Sequence, residues 1–136
     1  MSRYGLVLVV PTGLHRGDLL FLEHHKVNAT FCQMQLAISL NGVPIRLSDE
    51  RWRHITRRHP EMVNAEELVA QTIAAPDMIQ AGDSGELLAL RVCENTQLGC
   101  KYVVVAYREI SESDGFVLTA YLTRRPSPRR KVLWMR

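Results

Sequence analysis

The chain has 136 residues, of which 46% are hydrophobic and 23% charged, a composition typical of one soluble globular domain. Its net charge is only +3, and arginines far outnumber lysines among its 17 basic residues. No apolar run approaches the about 18 residues that span a bilayer, and the three cysteines lack a C-x-x-C spacing, so we expect a cytoplasmic protein without a disulfide framework or cysteine zinc site.

Residues 1–41 show weak periodicity and several mixed apolar patches. They could form a strand, a loop and a short helix, or an accessory arm that covers the main domain, and we assign them no function. Neighbouring side chains diverge on both helices and strands, so His24 and His25 are expected to be a surface pair rather than metal ligands. The sequence therefore divides into an N-terminal arm, 1–41, and a main domain, 42–136.

The main domain begins with a short strand and a helix. Pro44 predicts that the strand 43–47 lies at a sheet edge, because proline cannot donate to a neighbouring strand. Ser48 is a natural N-cap, and acidic residues follow it in the first turn, where the helix dipole favours them. This helix is expected to run to about His59 and to stop at Pro60.

A second helix and a run of strands follow. Asn64 is the expected cap of that helix, which ends before Pro76. Three strands are predicted at 86–93, 101–107 and 116–122, with connections rich in turn-forming residues.

These elements predict an α+β fold, with N-terminal helices packed on an antiparallel meander sheet of four to five strands. Val103–Val105 is apolar on both faces, which favours a central strand. Residues 131–135 would add a last strand, and its exposed edge could pair two chains as a homodimer.

The segment 51–61 combines arginines, two histidines and a glutamate. Guanidinium groups grip phosphate oxygens, and imidazole titrates near neutral pH, so this composition favours binding a phosphate diester and moving a proton beside it. On a helical wheel His59 shares the inward face with Trp52, whereas His54 points away with the arginines. The alternative for His59 is a hydrogen-bonded core residue, which we weigh about equally.

The strand 116–123 carries a second polar set, because Thr119, Tyr121 and Thr123 share one face by the period of two. If helices cover the apolar face, this polar face is open to a ligand. If a helix approaches the polar face instead, His59 and Tyr121 could meet. Threonine and tyrosine are also simply good strand formers.

Basic residues beyond this set favour an anionic partner. No acid follows Asp114, and a basic tail without acids favours nucleic acid, an acidic protein or a membrane surface, although a solvated tail is the plain alternative. Arg91 and Arg108 could either reach a phosphate or pair across strands with Glu94 or Glu109. There is no glycine-rich phosphate loop and no aspartate cluster, so we expect neither a cofactor nor a metal ion.

The segment Leu47–Glu61 resembles the opening helix of nucleases associated with phages and mobile elements, within the Barnase–EndoU–colicin–RelE-like superfamily. Ala75-Pro76-Asp77, Tyr102–Val105 and Val117–Tyr121 are similar to that family in order and spacing. The resemblance covers about residues 43–125. It implies a RelE/barnase-like fold and a metal-independent endoribonuclease of toxin type, neutralised by an antitoxin or immunity protein.

The family's reaction is attack of the ribose 2′-hydroxyl on the adjacent phosphate, which needs an acid, a base and a cation. By motif match, the catalytic candidates are His59, His54, Arg58, Thr119 and Tyr121, and the candidates for contacting RNA phosphates are Arg57, Arg91, Lys101, Arg124 and Arg125. The alternative function is a non-catalytic RNA- or protein-binding module of a phage or mobile element.

Overall fold

The computed structural model describes residues 34–96 and 99–136, so most of the N-terminal arm, including His24 and His25, lies outside the described residues. In chain order the elements are β1 (Met34–Ile38), β2 (Pro44–Leu47), α1 (Asp49–Arg58), a 3-10 helix (Pro60–Met62), α2 (Glu66–Ala74), β3 (Met78–Ala81), β4 (Leu87–Thr96), β5 (Gly99–Ser111), β6 (Asp114–Thr123) and β7 (Val132–Met135). No helix in these ranges is long and apolar enough to cross a membrane.

The described strands form one mixed sheet of seven strands, in the order β1-β2-β6-β5-β4-β3-β7. Every neighbouring pair is antiparallel except β2 and β6, which are parallel. The expectation of N-terminal helices on an antiparallel four- to five-stranded meander is therefore wrong. The meander β4-β5-β6 is present, but the sequence pattern predicts no strand specifically at 34–38 or 78–81, where β1 and β3 lie.

The strand β2 does not lie at a sheet edge, as Pro44 had suggested, but between β1 and β6. Proline is tolerated there because it is the first residue of the strand. The parallel contact with β6 is short and pairs Ile45 with Gly115 and Arg46 with Phe116. A Cβ atom on Gly115 would lie 2.6 Å from Ile45 Cδ1 and 2.7 Å from the Arg108 carbonyl oxygen, and glycine is required because that backbone oxygen cannot move aside.

The first helix, α1, forms where the sequence predicts it. The Ser48 side chain accepts a hydrogen bond from the Arg51 N–H at 3.0 Å and so satisfies one of the free donors of the first turn. Ile55 is the buried residue of this helix, and Pro60 prevents its continuation.

The second helix begins one residue later than expected, because Ala65 and not Asn64 is its N-cap. Asn64 has φ of +67°, a left-handed conformation that belongs to a turn and not to an N-cap.

The sheet is covered on both faces. On one face, which we call the helix face, α1, the 3-10 helix and α2 pack over β5 and its neighbours, with Ile73, Val103 and Val105 all fully buried. On the opposite face, which we call the second face, Leu90 and Val104 are also buried.

The segment 124–131 folds back along the second face. The buried Gln80 anchors it by donating from Nε2 to the Ser127 carbonyl at 2.9 Å, and the Ala81 N–H donates to the Lys131 carbonyl at the same distance. The basic tail is therefore partly built into the fold.

An irregularity in the pairing of β5 with β6 changes which residues face the helices. Ala106 lies opposite Thr119 and Tyr107 opposite Val117, so Leu118 is an extra residue on β6. Val117 consequently packs in the core under the helices, and Leu118 packs on the second face. Without this extra residue, a strict period of two from Thr119 and Tyr121 would place Leu118 on the helix face.

Candidate active site at the edge of β6

The candidate site lies where β6 loses its neighbour. In the described part of the chain, β2 pairs with β6 only at Gly115 and Phe116, so the rest of that edge, up to Thr123, is not covered by a strand. The 3-10 helix takes its place. The Glu61 carboxylate accepts a hydrogen bond from the Leu122 N–H at 3.4 Å, which gives this edge donor a partner.

His59 is held at this edge by its own backbone. It is the C-cap of α1, with φ of −129° and ψ of 78°. Its N–H donates to the Ile55 carbonyl at 2.7 Å, and its carbonyl accepts from the Met62 N–H at 2.9 Å. Both backbone polar groups are thus occupied, and the imidazole projects from a fixed position between α1 and the 3-10 helix.

The imidazole of His59 contacts the ring of Tyr121. The two ring centroids are 5.6 Å apart, and the ring planes are tilted by 33°. Nδ1 of His59 also lies 3.7 Å from Oε2 of Glu61. The side chain of His59 is 34% exposed, which excludes the alternative of a sealed core histidine.

The helices and the second face meet at this point. Tyr121 lies opposite Val104 and so belongs to the second face, whereas α1 packs on the helix face. His59 reaches Tyr121 around the uncovered edge of β6. The two arrangements considered from the sequence are therefore compatible: the helices cover the apolar face, and His59 and Tyr121 still meet.

This arrangement has defined chemical capabilities. An imidazole that is one-third exposed can donate a proton to a ligand or accept one from it. The Glu61 carboxylate at 3.7 Å is too distant for a hydrogen bond to the imidazole. The Tyr121 hydroxyl adds a group that can both donate and accept a hydrogen bond.

The other catalytic candidates lie in different environments. His54, Arg57 and Arg58 are exposed on α1, and within the described residues no hydrogen bond, ion pair or ring contact joins His54 to the site. Thr119 is half-buried on the second face, two residues from Tyr121. The structure therefore brings His59 and Tyr121 together with Glu61, and does not include His54.

The phosphate-binding candidates divide into two groups. Arg91 lies on β4, two strands away from β6, and its Nη1 donates to the Ala75 carbonyl just after α2. Lys101 pairs in register with Cys93 and is half-buried. Arg91 thus supports the end of a helix, and neither a phosphate role nor the considered pairing with Glu94 is needed to explain its position.

Arg124 and Arg125, in contrast, are exposed directly after β6. Arg125 lines a cavity of about 410 Å³ on the second face, together with Tyr121, Thr123 and Gln80. The tail that contains these arginines loses part of its free charge, because Arg130 pairs with Asp83 at 3.1 Å and Arg136 with Asp77 at 3.0 Å.

Two side chains matter that the sequence did not mark as site residues. Glu61 is placed by the Pro60 corner, which turns the chain so that residues 59 and 61 both face the edge of β6. A polar residue two positions after a helix-ending histidine was the available signal. Gln80 gave no signal, because its burial depends on the segment 124–131, far away in sequence.

The titratable groups with perturbed pKa values lie outside the site. Arg46 donates to Asp114 at 2.8 and 3.1 Å, which holds the pKa of that carboxyl below its usual value. Burial raises the pKa of the Tyr107 hydroxyl, which has no hydrogen-bond partner among the residues described. Across 34–96 and 99–136, no group of three or more His, Cys, Asp or Glu side chains is placed to hold a metal ion.

Comparisons with family models, curated proteins and solved structures give no match for this chain.

Proposed function

We propose that the protein is a metal-independent endoribonuclease of toxin type, with His59 as its central proton-transferring group. The observation that carries the proposal is the contact of the one-third-exposed His59 ring with Tyr121 at the uncovered edge of β6. Exposed arginines precede β6 in sequence, on α1, and others follow directly after it. Both groups provide positive charge for RNA. The resemblance of residues 43–125 to phage and mobile-element nucleases points to the same reaction.

The reaction joins the ribose O2′ to the adjacent phosphorus and breaks the bond from phosphorus to O5′. A base removes the proton of the 2′-hydroxyl, and an acid supplies a proton to the departing O5′. His59 and the Tyr121 hydroxyl are the two groups that we assign to these transfers, in preference to His54, which is exposed on α1. Arg58, the residue before His59, is the candidate for stabilising the negative charge on the phosphorane.

The substitution His59→Ala tests this assignment. We expect RNA cleavage to fall by about two orders of magnitude or more, because removing a general acid or base has that effect. His54→Ala is the matched control, since it removes an exposed imidazole from the same helix, and its activity should stay near that of the native protein. Cleavage is measured on a labelled RNA in the presence of a chelator, and the product should carry a 2′,3′-cyclic phosphate.

Equal activity of the His59→Ala and native proteins would refute the proposal, and so would a linear phosphate as the first product. A growth defect on expression that disappears with His59→Ala and persists with His54→Ala would support the toxin type.

A non-catalytic RNA-binding module is the second candidate, favoured by the exposed arginines of α1. Such a module would bind RNA with a strong dependence on salt and would keep that affinity in the His59→Ala variant.

A further inference from the structure

We propose that the cavity between the second face and the segment 124–130 is a mononucleotide-binding subsite, which holds a base that carries an exocyclic amino group next to the scissile phosphate. This inference rests on the proposed function, because it gives the ribonuclease site its second half. We call this cavity the base pocket.

The lining of the base pocket matches the faces of a nucleobase. Its floor is apolar and is formed by Leu88, Leu90 and Val104, each at most 5% exposed. Its volume of about 410 Å³ falls within the usual range for small-molecule sites. A flat aromatic ring with polar edges can place its faces against such a floor and its edges against polar walls.

The wall contains an acceptor that can select among bases. Gln80 is only 3% exposed, and its Nε2 is committed to the Ser127 carbonyl at 2.9 Å. Its Oε1 accepts no hydrogen bond from the part of the chain that the structure describes. An amide oxygen in the pocket wall can accept a hydrogen bond, and the exocyclic amino group of cytosine or adenine supplies the donor. Uracil has no such group and would leave the acceptor unsatisfied.

The rim of the base pocket is cationic. Arg125 is exposed, and no acid pairs with its guanidinium among the described residues. Arg130, which also lines the pocket, is partly neutralised by Asp83 at 3.1 Å. The net excess of positive charge at the rim favours a ligand with a phosphate over a neutral ring.

The base pocket is formed before any ligand binds. Pro126 and Pro128 fix the backbone of its roof, and the Gln80 hydrogen bond ties that roof to β3. Such preorganisation lowers the entropy lost on binding.

Tyr121 connects the base pocket to the catalytic group. Its side chain lines the pocket, and its ring lies 5.6 Å from the ring of His59. A nucleotide whose base lies on Leu90 and Val104 would therefore extend its ribose and phosphate toward His59. The cleaved bond would be the one adjacent to the nucleotide in the pocket.

Titration of the full-length protein with cytidine 3′-monophosphate, followed by calorimetry or NMR, tests the base pocket without any cleavage. We expect Arg125→Ala to weaken binding about tenfold, because it removes a charged hydrogen bond to phosphate. Arg129→Ala is the matched control, since it removes an exposed arginine of the same segment that does not line the pocket, and its dissociation constant should stay within about twofold of the native value. Uridine 3′-monophosphate should bind about tenfold more weakly than the cytidine compound, as one lost hydrogen bond predicts.

Three outcomes would overturn the inference. Inorganic phosphate that binds as tightly as the nucleotide would reduce the pocket to an anion site. Equal losses in the two arginine variants would indicate non-specific attraction, and equal affinities for cytidine and uridine nucleotides would remove the role of Gln80.

Nucleotide binding by His59→Ala, compared with RNA cleavage by the native protein, separates the two proposals. Retained nucleotide binding with no cleavage by the native protein would refute the ribonuclease and keep the pocket, whereas cleavage by the native protein with no effect of Arg125→Ala on binding would refute only the pocket.

Discussion

Two histidines on the same helix illustrate how position alone determines what a residue can do. His54 and His59 are five residues apart, so they lie on different sides of α1. His54 is exposed to solvent, whereas His59 ends the helix and contacts Tyr121. The difference arises because Pro60 stops the helix and the chain turns onto the edge of β6, so that His59 has neighbours which an ordinary helical residue would not have.

Tyr121→Phe tests whether the hydroxyl or only the ring of Tyr121 is needed. The phenylalanine keeps the ring against His59 and removes the O–H, so we expect cleavage to fall by about tenfold or more if the hydroxyl transfers a proton. Tyr102→Phe is the matched control, because Tyr102 packs on the same face without a ring contact to His59. Equal rates for Tyr121→Phe and the native protein would limit Tyr121 to positioning His59.

At the scale of elements, the site depends on a gap in the sheet. The strand β2 leaves β6 after two residue pairs, and the 3-10 helix occupies the edge that is left. A strand edge with free N–H groups invites pairing with other chains, and the Glu61 carboxylate occupies one of those groups. The 3-10 helix that covers this edge also places His59 beside Tyr121. The same short segment therefore covers the strand edge and forms the candidate site.

The start of α1 determines how firmly that helix presents His59. Ser48→Ala removes the side-chain acceptor for the Arg51 N–H, and we expect a loss of about 1 kcal/mol in the free energy of unfolding. Ser48→Asp should retain most of the stability, since aspartate also caps and has a favourable interaction with the helix dipole. Urea denaturation measures both, and equal losses in the two variants would show that the cap is unimportant.

At the scale of the whole molecule, side chains far apart in sequence join strands in both halves of the sheet. Asp77 accepts from the Val92 N–H at 2.9 Å and from Arg136 at 3.0 Å, so it joins β4 to the end of β7. At the other end, Arg46 on β2 pairs with Asp114 at the start of β6 and lies over the Phe116 ring. The second of these contacts gives the molecule a defined response to acid.

Asp114→Asn should change how stability depends on pH. The hydrogen bond from Arg46 lowers the pKa of Asp114, so the folded state favours the ionised form. A lowered pKa contributes stability above the ordinary carboxyl value of about 4, and that contribution is lost as the pH falls through the folded-state value. We expect the native protein to melt at a higher temperature than the variant at pH 7 and the difference to shrink below about pH 4. A difference that is constant with pH would contradict this linkage.

The sequence by itself determined the local elements. Ser48, the acidic first turn and Pro60 specify α1, and the alternating segments between turn-forming residues specify β4, β5 and β6. The apolar run at Val103–Val105 lies in the middle strand of the described sheet. His59 and Tyr121 were identified as candidates from their residue types, their faces and the family resemblance. Such features depend on residues only a few positions apart, which is why the sequence displays them.

Only the tertiary structure decided which segments become neighbours. The insertion of β2 between β1 and β6, the position of β3 between β4 and β7, and the extra residue at Leu118 all depend on pairing between distant segments. The contact of His59 with Tyr121, the role of Glu61 and the burial of Gln80 have the same origin. The free energy of a strand pair or a buried contact comes from both partners at once, so no window of sequence that contains only one partner can reveal it.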